Sequence, residues 1–437
     1  MNQFRRIQAF VANLAKIIKQ APEILYCLLL GIFHLSVLFG NIRFNLSRVP
    51  LELVVQILSV SVLVLLDIFI SCIFIGLIHR TWAMIPALAL VLGFLYLCAG
   101  MQRDKFDGLM IFLLAVGAYG KDYRNLLKVL LWCTIGSVAV AMIGIPIGIT
   151  LETPKVGAYG TGLAFGFAHP NVFGSYVFFI FITIWYLYIR ERPLLIEYAV
   201  FGLSWLLAVF MVFIPKCRTQ ALLLLLFPFA VMACKGVLGA EGAKKRTALR
   251  LMLRWVMILA PIFCFLITVL LGTQREWLVT HTFGTYIENF SKRFIQAGLA
   301  FKEHGFPLFG ELIRFTPEAT ENLGGYTIPL YVLDNGYVTY TILRGMIWMV
   351  PALLWLTFAD WKISRRNDYR MLAVSVLFCL MGLMERYTFT MYNYIFLYPL
   401  AIALDRGNSP ELIGRYQERS EELEAKYRHD AYRVCLR

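Results

Sequence analysis

Apolar windows long enough to cross a bilayer recur along nearly the whole of this 437-residue chain, and few of them hold a charge. A crossing helix needs about 20 such residues. Inside lipid every backbone polar group has to be satisfied within the protein, so spanning segments are helices or closed barrels. Continuous apolar runs, without strict alternation, favour helices. Composition agrees: 59% of the residues are hydrophobic and 16% charged, where a soluble domain carries about a quarter. The sequence therefore predicts an all-α polytopic membrane protein of about twelve transmembrane helices with one large extracytoplasmic loop.

The expected division is a cytoplasmic N-terminal segment at 1–23, a transmembrane bundle at 24–272 and an extracytoplasmic loop at 273–335. A second part of the bundle follows at 336–404, then a charged cytoplasmic tail at 405–437. Residues 1–23 are polar and basic and lack a short apolar core followed by small residues, so the first apolar run reads as a retained helix. Segment 51–78, with Asp67 at its middle, is one long tilted helix or two short ones.

Charge parity sets the orientation. If 51–78 crosses once, 27 Lys and Arg fall on the side of both termini and 13 on the other, with Arg344 inside a helix. The positive-inside rule makes the richer side cytoplasmic. The net charge of +14 then orients the chain and meets anionic lipid heads, and a nucleic-acid partner is not expected. The nine cysteines show no CxxC and no metal spacing, so they read as small buried hydrophobes. Loop 273–335 carries Ile287, Phe290, Phe294, Ala297 and Phe301 at helical spacing, which predicts an amphipathic helix folded on the membrane surface.

With that topology, a set of polar residues collects on the outer side. His169 and Asn171 follow a glycine-rich stretch, TGLAFGFAHPNVFGSY. Lys216 and Arg218 open a helix in FIPKCRTQALLLLLF. Arg293 lies on the amphipathic piece, and Asp334 and Asn335 precede Arg344 in LDNGYVTYTILRG. Each has an ordinary explanation. Asn171 can cap a helix or sit in its first turn after Pro170, the Asp334–Asn335 pair can cap one, Lys216 and Arg218 can snorkel, and His169 can pack at the interface. Arg344 lies deeper and calls for an acid or a phosphate as partner.

Taken together, the set suits a phosphate-bearing lipid. Arginine grips diphosphate oxygens through a planar fork, and a carboxylate or imidazole can take a proton from an attacking hydroxyl. The chain has no DxD, no HExxH and no Walker glycine loop, so neither a metal nor another cofactor is expected. A donor carrying its own leaving group, such as a polyprenyl-diphosphate sugar, fits best. The candidate catalytic residues are Asp334 and His169. The candidate diphosphate and glycan contacts are Arg218, Arg293, Lys216, Arg344, Asn171 and Asn335.

The chain resembles the O-antigen ligase and polymerase superfamily of bacterial surface-polysaccharide assembly, in layout and in four local motifs. GFAHPNVFG is similar to the glycine/His-Pro-Asn entry to a helix in those proteins. PKCRTQALLLL is similar to their Ser-Arg-Thr helix start, with Cys217 in place of the Ser. RFIQAGLAFKEHGFPLFG is similar to their loop segment with an Arg, a helix and a Pro-Leu-x-Gly turn. LDNGYVTYTILRG is similar to the end of that loop, where ligases show His-Asn and many polymerases Asp-Asn. The resemblance implies a GT-C-like, metal-independent glycosyltransferase in the bacterial plasma membrane, with its site on the extracytoplasmic side. It implies that Arg218 and Arg293 hold the diphosphate of a polyprenyl-diphosphate-linked oligosaccharide and that Asp334 is the base or orients the acceptor. A flippase and a chain-length regulator would be its partners, beside membrane lipids. Asp in place of His favours a polymerase. A ligase acting on another acceptor and a flippase or transporter of lipid-linked sugars remain the alternatives, although no paired repeat of the kind transporters show is present.

Overall fold

The computed structural model describes residues 26–45 (except 29, 33 and 36), 111, 114, 118, 123–152, 154–157, 160–189, 194–238, 248–282, 288–311, 320–323, 326–329 and 333–389. Segments 1–23, 51–78 with Asp67, and 405–437 lie outside the described residues.

The described chain is mostly helical. Helix α1 is Tyr26–Phe39. Helix α2 is Tyr123–Gly144, and α3 is Pro170–Ile184, extended by a π-helical turn Trp185–Ile189. Between them lies an antiparallel hairpin of β1 (Lys155–Gly157) and β2 (Gly160–Gly162). Helix α4 is Leu194–Phe213 and α5 is Arg218–Leu238. Helices α6 (Ala248–Ile258) and α7 (Ala260–Thr273) meet at a 73° bend. Helices α8 (Arg275–Thr282) and α9 (Glu288–His304) follow, then a second antiparallel hairpin, β3 (Thr320–Leu323) with β4 (Tyr326–Pro329). The short α10 (Gly336–Arg344) leads into α11 (Met346–Arg365), α12 (Tyr369–Met384) and a 3-10 turn Arg386–Phe389.

Among the described residues, five helices are long and apolar enough to cross a membrane, or six if the bent pair α6–α7 is one span. Residues 255–272 read from sequence as a single crossing. The break falls at Leu259, just before Pro261 in the first turn of α7, where a missing N–H costs least.

Helix α5 is the axis of packing. It lies against α4 and α12, and touches α3 and α6. Its C-terminal end is tied by Glu197, a buried residue of α4, which accepts from Lys235 of α5 and Arg370 of α12, each at 3.4 Å. Nearby, Arg254 of α6 donates to Ser364 of α11 through Nε at 2.6 Å and through Nη2 to its carbonyl at 3.0 Å. Thr219, at the other end of α5, is sixteen residues away, or about 24 Å along a helix. That separation approaches the ~30 Å of a bilayer core, so the two ends of the bundle are distinct polar layers.

Loop 273–335 is less superficial than its amphipathic pattern suggests. Phe294, Ile295, Ala297 and Leu299 of α9 are buried, and α9 packs on α7, α8 and α10. The contact with α7 is backbone to backbone: a Cβ on Gly298 would overlap the carbonyl of Gly272. A larger residue would force the two helices apart. The Pro307–Gly310 turn then threads the break between α10 and α11. Pro307 and Leu308 carbonyls accept from Met346 N and Ile347 N at 2.9 and 3.1 Å, and Glu311 N donates to Ile342 O at 2.6 Å. Gly345 makes the break, at φ 84° with no room for a Cβ.

Ser291 faces inward against Thr282, so a probe of sidedness belongs on exposed Glu303 and Arg365. In intact cells an impermeant thiol reagent is expected to label Glu303→Cys and to reach Arg365→Cys only after permeabilisation. The opposite pattern would reverse the orientation read from charge parity.

Candidate functional site

Four helix ends and α9 meet at one end of the bundle. At the start of α3, His169 is extended (φ −154°, ψ 143°), and its Nδ1 accepts from the backbone N–H of Asn171 at 3.0 Å, with Pro170 next in the helix. The cap is thus His169 rather than Asn171. That bond leaves the ring proton on Nε2, a tautomer assigned from the hydrogen bonding. Because Asn171 is not the cap, its side chain reaches across and donates through Nδ2 to Glu385 Oε1 at 3.0 Å.

The start of α5 is a tight reversal. Lys216 takes a left-handed φ of 59°, and Cys217 N donates to Met211 O at 2.8 Å. Cys217 Sγ lies 2.9 Å from Pro170 O, and a Cβ on Gly174 would meet that sulfur at 2.9 Å. Glycine on α3 thus makes room for the cysteine before α5. Burial, and then the nearby Glu385 charge, push the Cys217 thiol far up, so it stays protonated and inert. Gln220 donates to Ser175 Oγ at 3.0 Å and Asn171 O at 3.4 Å. Arg218, first in the helix, is exposed, and Lys216 is half-buried.

Asn335 caps α10. Its Oδ1 accepts from Val338 N at 3.2 Å, and its Nδ2 donates to Thr268 Oγ1 and Leu383 O at 3.2 and 3.1 Å. It is fully buried, and its amide caps α10 and ties it to α7 and α12. Arg344 is fully buried. Its guanidinium lies over the rings of Tyr340 and Trp348, 3.9 and 4.5 Å from their centroids, and donates to Phe389 O at 2.8 Å. Aromatic faces and a carbonyl thus take up part of the deep charge.

The remaining three charges form the centre. Arg293 of α9 stands between Asp334, before α10, and Glu385, just past the end of α12. Nε is 3.7 Å from Asp334 Oδ2 and Nη2 is 3.7 Å from Glu385 Oε1. These distances are ion pairs too long for direct hydrogen bonds. Side-chain exposure grades from 1% at Glu385 through 17% at Arg293 to 35% at Asp334, which puts Asp334 at the mouth. Arg293 Nε and Glu385 Oε2 are buried without a hydrogen-bond partner among the described residues. Burial pushes the Glu385 carboxyl up to about 7. Arg293 opposes the rise, Asp334 adds to it, and Thr219 and Asn171 oppose it.

The surrounding potential favours an anion. Helices α3, α5 and α10 all begin here with no acid in their first turns. Lys216 and Arg218 sit where the macrodipole disfavours cations, a cost that a bound anion would offset. Among the described residues no three His, Cys, Asp or Glu side chains are grouped to hold a metal.

Of the sequence candidates, the structure brings together Asn171, Arg293 and Asp334 around Glu385, and seats His169, Lys216 and Arg218 on the helix starts that frame them. It adds Glu385 and Thr219, which sequence reasoning missed. The one signal for Glu385 was a lone acid in LMGLMERYTF, between two apolar runs. No family model matches the chain, nor does any curated protein or solved structure.

If His169 serves as the cap, Asn restores it. His169→Asn is expected to keep the thermal midpoint of the detergent-purified protein, whereas His169→Leu loses about 1 kcal/mol. Equal losses in both variants would contradict the capping role.

Proposed function

We propose that this protein is an extracytoplasmic glycan polymerase of the bacterial plasma membrane, built on a bundle of about twelve helices. It would transfer a growing chain from polyprenyl diphosphate to a sugar hydroxyl of a second lipid-linked repeat unit. The observation that carries this reading is Arg293 held between a buried and a half-buried carboxylate, at the meeting point of three helix N-termini. The resemblance in four ordered motifs supports the same chemistry.

In the proposed reaction the acceptor oxygen attacks the anomeric carbon, and the bond from that carbon to the phosphate oxygen breaks. The hydroxyl proton passes to Asp334, the more exposed carboxylate. The bonding electrons leave with the diphosphate. Arg218 and Arg293 face that growing negative charge in a partly dry site, where fixed charges act most strongly. Lys216 adds charge on the same turn, and Asn171 with Glu385 keeps Arg293 in place. His169 presents Nε2–H as a donor, not a base, while Nδ1 caps the helix. Diphosphate is a good leaving group, so this scheme asks little of an acid. Asp334 in a motif where ligases carry His favours chain polymerisation over ligation.

Two substitutions test the assignment, with purified protein and a synthetic polyprenyl-diphosphate oligosaccharide. Asp334→Asn keeps the shape but cannot accept the proton, and turnover is expected to fall about 10²–10⁴-fold at normal protein levels. Full activity in that variant would remove Asp334 as the base. Arg218→Lys keeps a charge but loses the fork. It is expected to shorten or abolish polymer, and polymer of normal length would reduce Arg218 to an interface anchor.

A further inference from the structure

Charge does not balance in the central group. Two carboxylates, Asp334 and Glu385, face one guanidinium, Arg293. With both acids ionised the group is net negative, and a diphosphate approaching Arg293 would meet it as a like charge. Of the two acids, Glu385 is the one whose charge the fold penalises. Its side chain is 1% exposed, Oε2 has no hydrogen-bond partner among the described residues, and it ends α12, where the helix dipole is negative. Asp334 is 35% exposed, and water supports its charge.

We propose that Arg293 accepts a diphosphate diester together with one proton, and that Glu385 is the positioning residue which takes the proton. Before binding, Arg293 neutralises part of the buried Glu385 charge. When the guanidinium turns to phosphate oxygens, an ionised Glu385 would be left buried without its counter-charge, a state far costlier than the neutral acid. Protonation removes that cost and gives Oε2 a donor. The proton comes from solvent, and no bond other than this O–H is made.

The groups facing Glu385 fit this role. Arg293 faces it from α9, Asp334 from the head of α10 and Cys217 from the head of α5, while Asn171 and Thr219 are neutral neighbours on α3 and α5. Arg386, next in the chain, is exposed. The Glu385 carboxyl already lies near 7 before any ligand arrives, so a second anion would draw in a proton at ordinary pH. The inference rests on the proposed function for its ligand class, but its linkage can be measured apart from that reaction.

The test uses full-length protein in nanodiscs and two probes whose charge does not titrate in the range, a short-chain prenyl diphosphate sugar and P1,P2-dimethyl diphosphate. For the wild type, affinity is expected to be level below about pH 7 and to fall about tenfold per pH unit above it. Calorimetry in two buffers of different ionisation enthalpy at about pH 8 should show uptake of about one proton per site. Glu385→Gln should bind with a level affinity across the range, near the acid limit of the wild type, whereas Asp334→Asn should keep the slope. Level wild-type affinity, zero proton uptake, or an unchanged slope in Glu385→Gln would each overturn the inference. The uptake measurement needs no variant, so a poorly folding Glu385→Gln leaves it decided. Prenyl-sugar binding without proton uptake would sink the inference and leave the polymerase reading standing. Proton-linked binding of dimethyl diphosphate alone would do the reverse, and no binding of either probe would sink both.

Discussion

A carboxylate buried at the end of an apolar helix is the constraint around which this end of the protein is organised. Glu385 closes α12 with 1% of its side chain exposed, and a buried charge needs partners. Those partners come from α3 (Asn171), α5 (Thr219), α9 (Arg293) and the turn into α10, whose Asp334 shares the arginine. Elements far apart in sequence therefore have to arrive together, as the 214 residues between Asn171 and Glu385 show. The glycines then follow from geometry. Gly174 admits Cys217 and so lets α3 and α5 start side by side, and Gly298 lets α9 settle on α7, which brings Arg293 inward.

The opposite end solves a different problem. Glu197 is also buried, but it has two cations, Lys235 and Arg370, and joins α4, α5 and α12. There the positive charges outnumber the acid. At the Glu385 end the acids outnumber the arginine, and two atoms of that group lack partners among the described residues. In the Glu197 clamp Arg370 Nε is likewise buried without a hydrogen-bond partner among the described residues, so the two networks differ in the balance of charge.

Much of the helical fold was legible because the bilayer leaves few options. The apolar windows at α2, α3, α4, α5 and α11 are helices of spanning length. The bend between α6 and α7 was marked by Pro261 but hidden by the unbroken apolar run around it. Neither hairpin was foreseen, since such short strands carry little alternation. At the site, Asn171, Arg293 and Asp334 were found as polar residues in costly places. At α3 the sequence left Asn171 as cap or first-turn residue, and the extended backbone of His169 makes His169 the cap and puts Asn171 in the first turn. For Arg344, the two rings it meets, Tyr340 and Trp348, stand four residues to either side of it in the sequence. Glu385 could not be placed at all, because its role exists only once α3, α5 and α9 are packed.

The account's central claim is that a glycosyl group leaves its diphosphate beside Arg293. The most direct measurement follows a doubly labelled prenyl-diphosphate oligosaccharide with purified protein in nanodiscs, counting prenyl diphosphate released and glycosidic bonds formed. The account predicts one release per bond, abolished by Arg293→Ala in protein that keeps its thermal midpoint. Bond formation undiminished in that variant, or no transfer by the wild type with a matched acceptor, would contradict it.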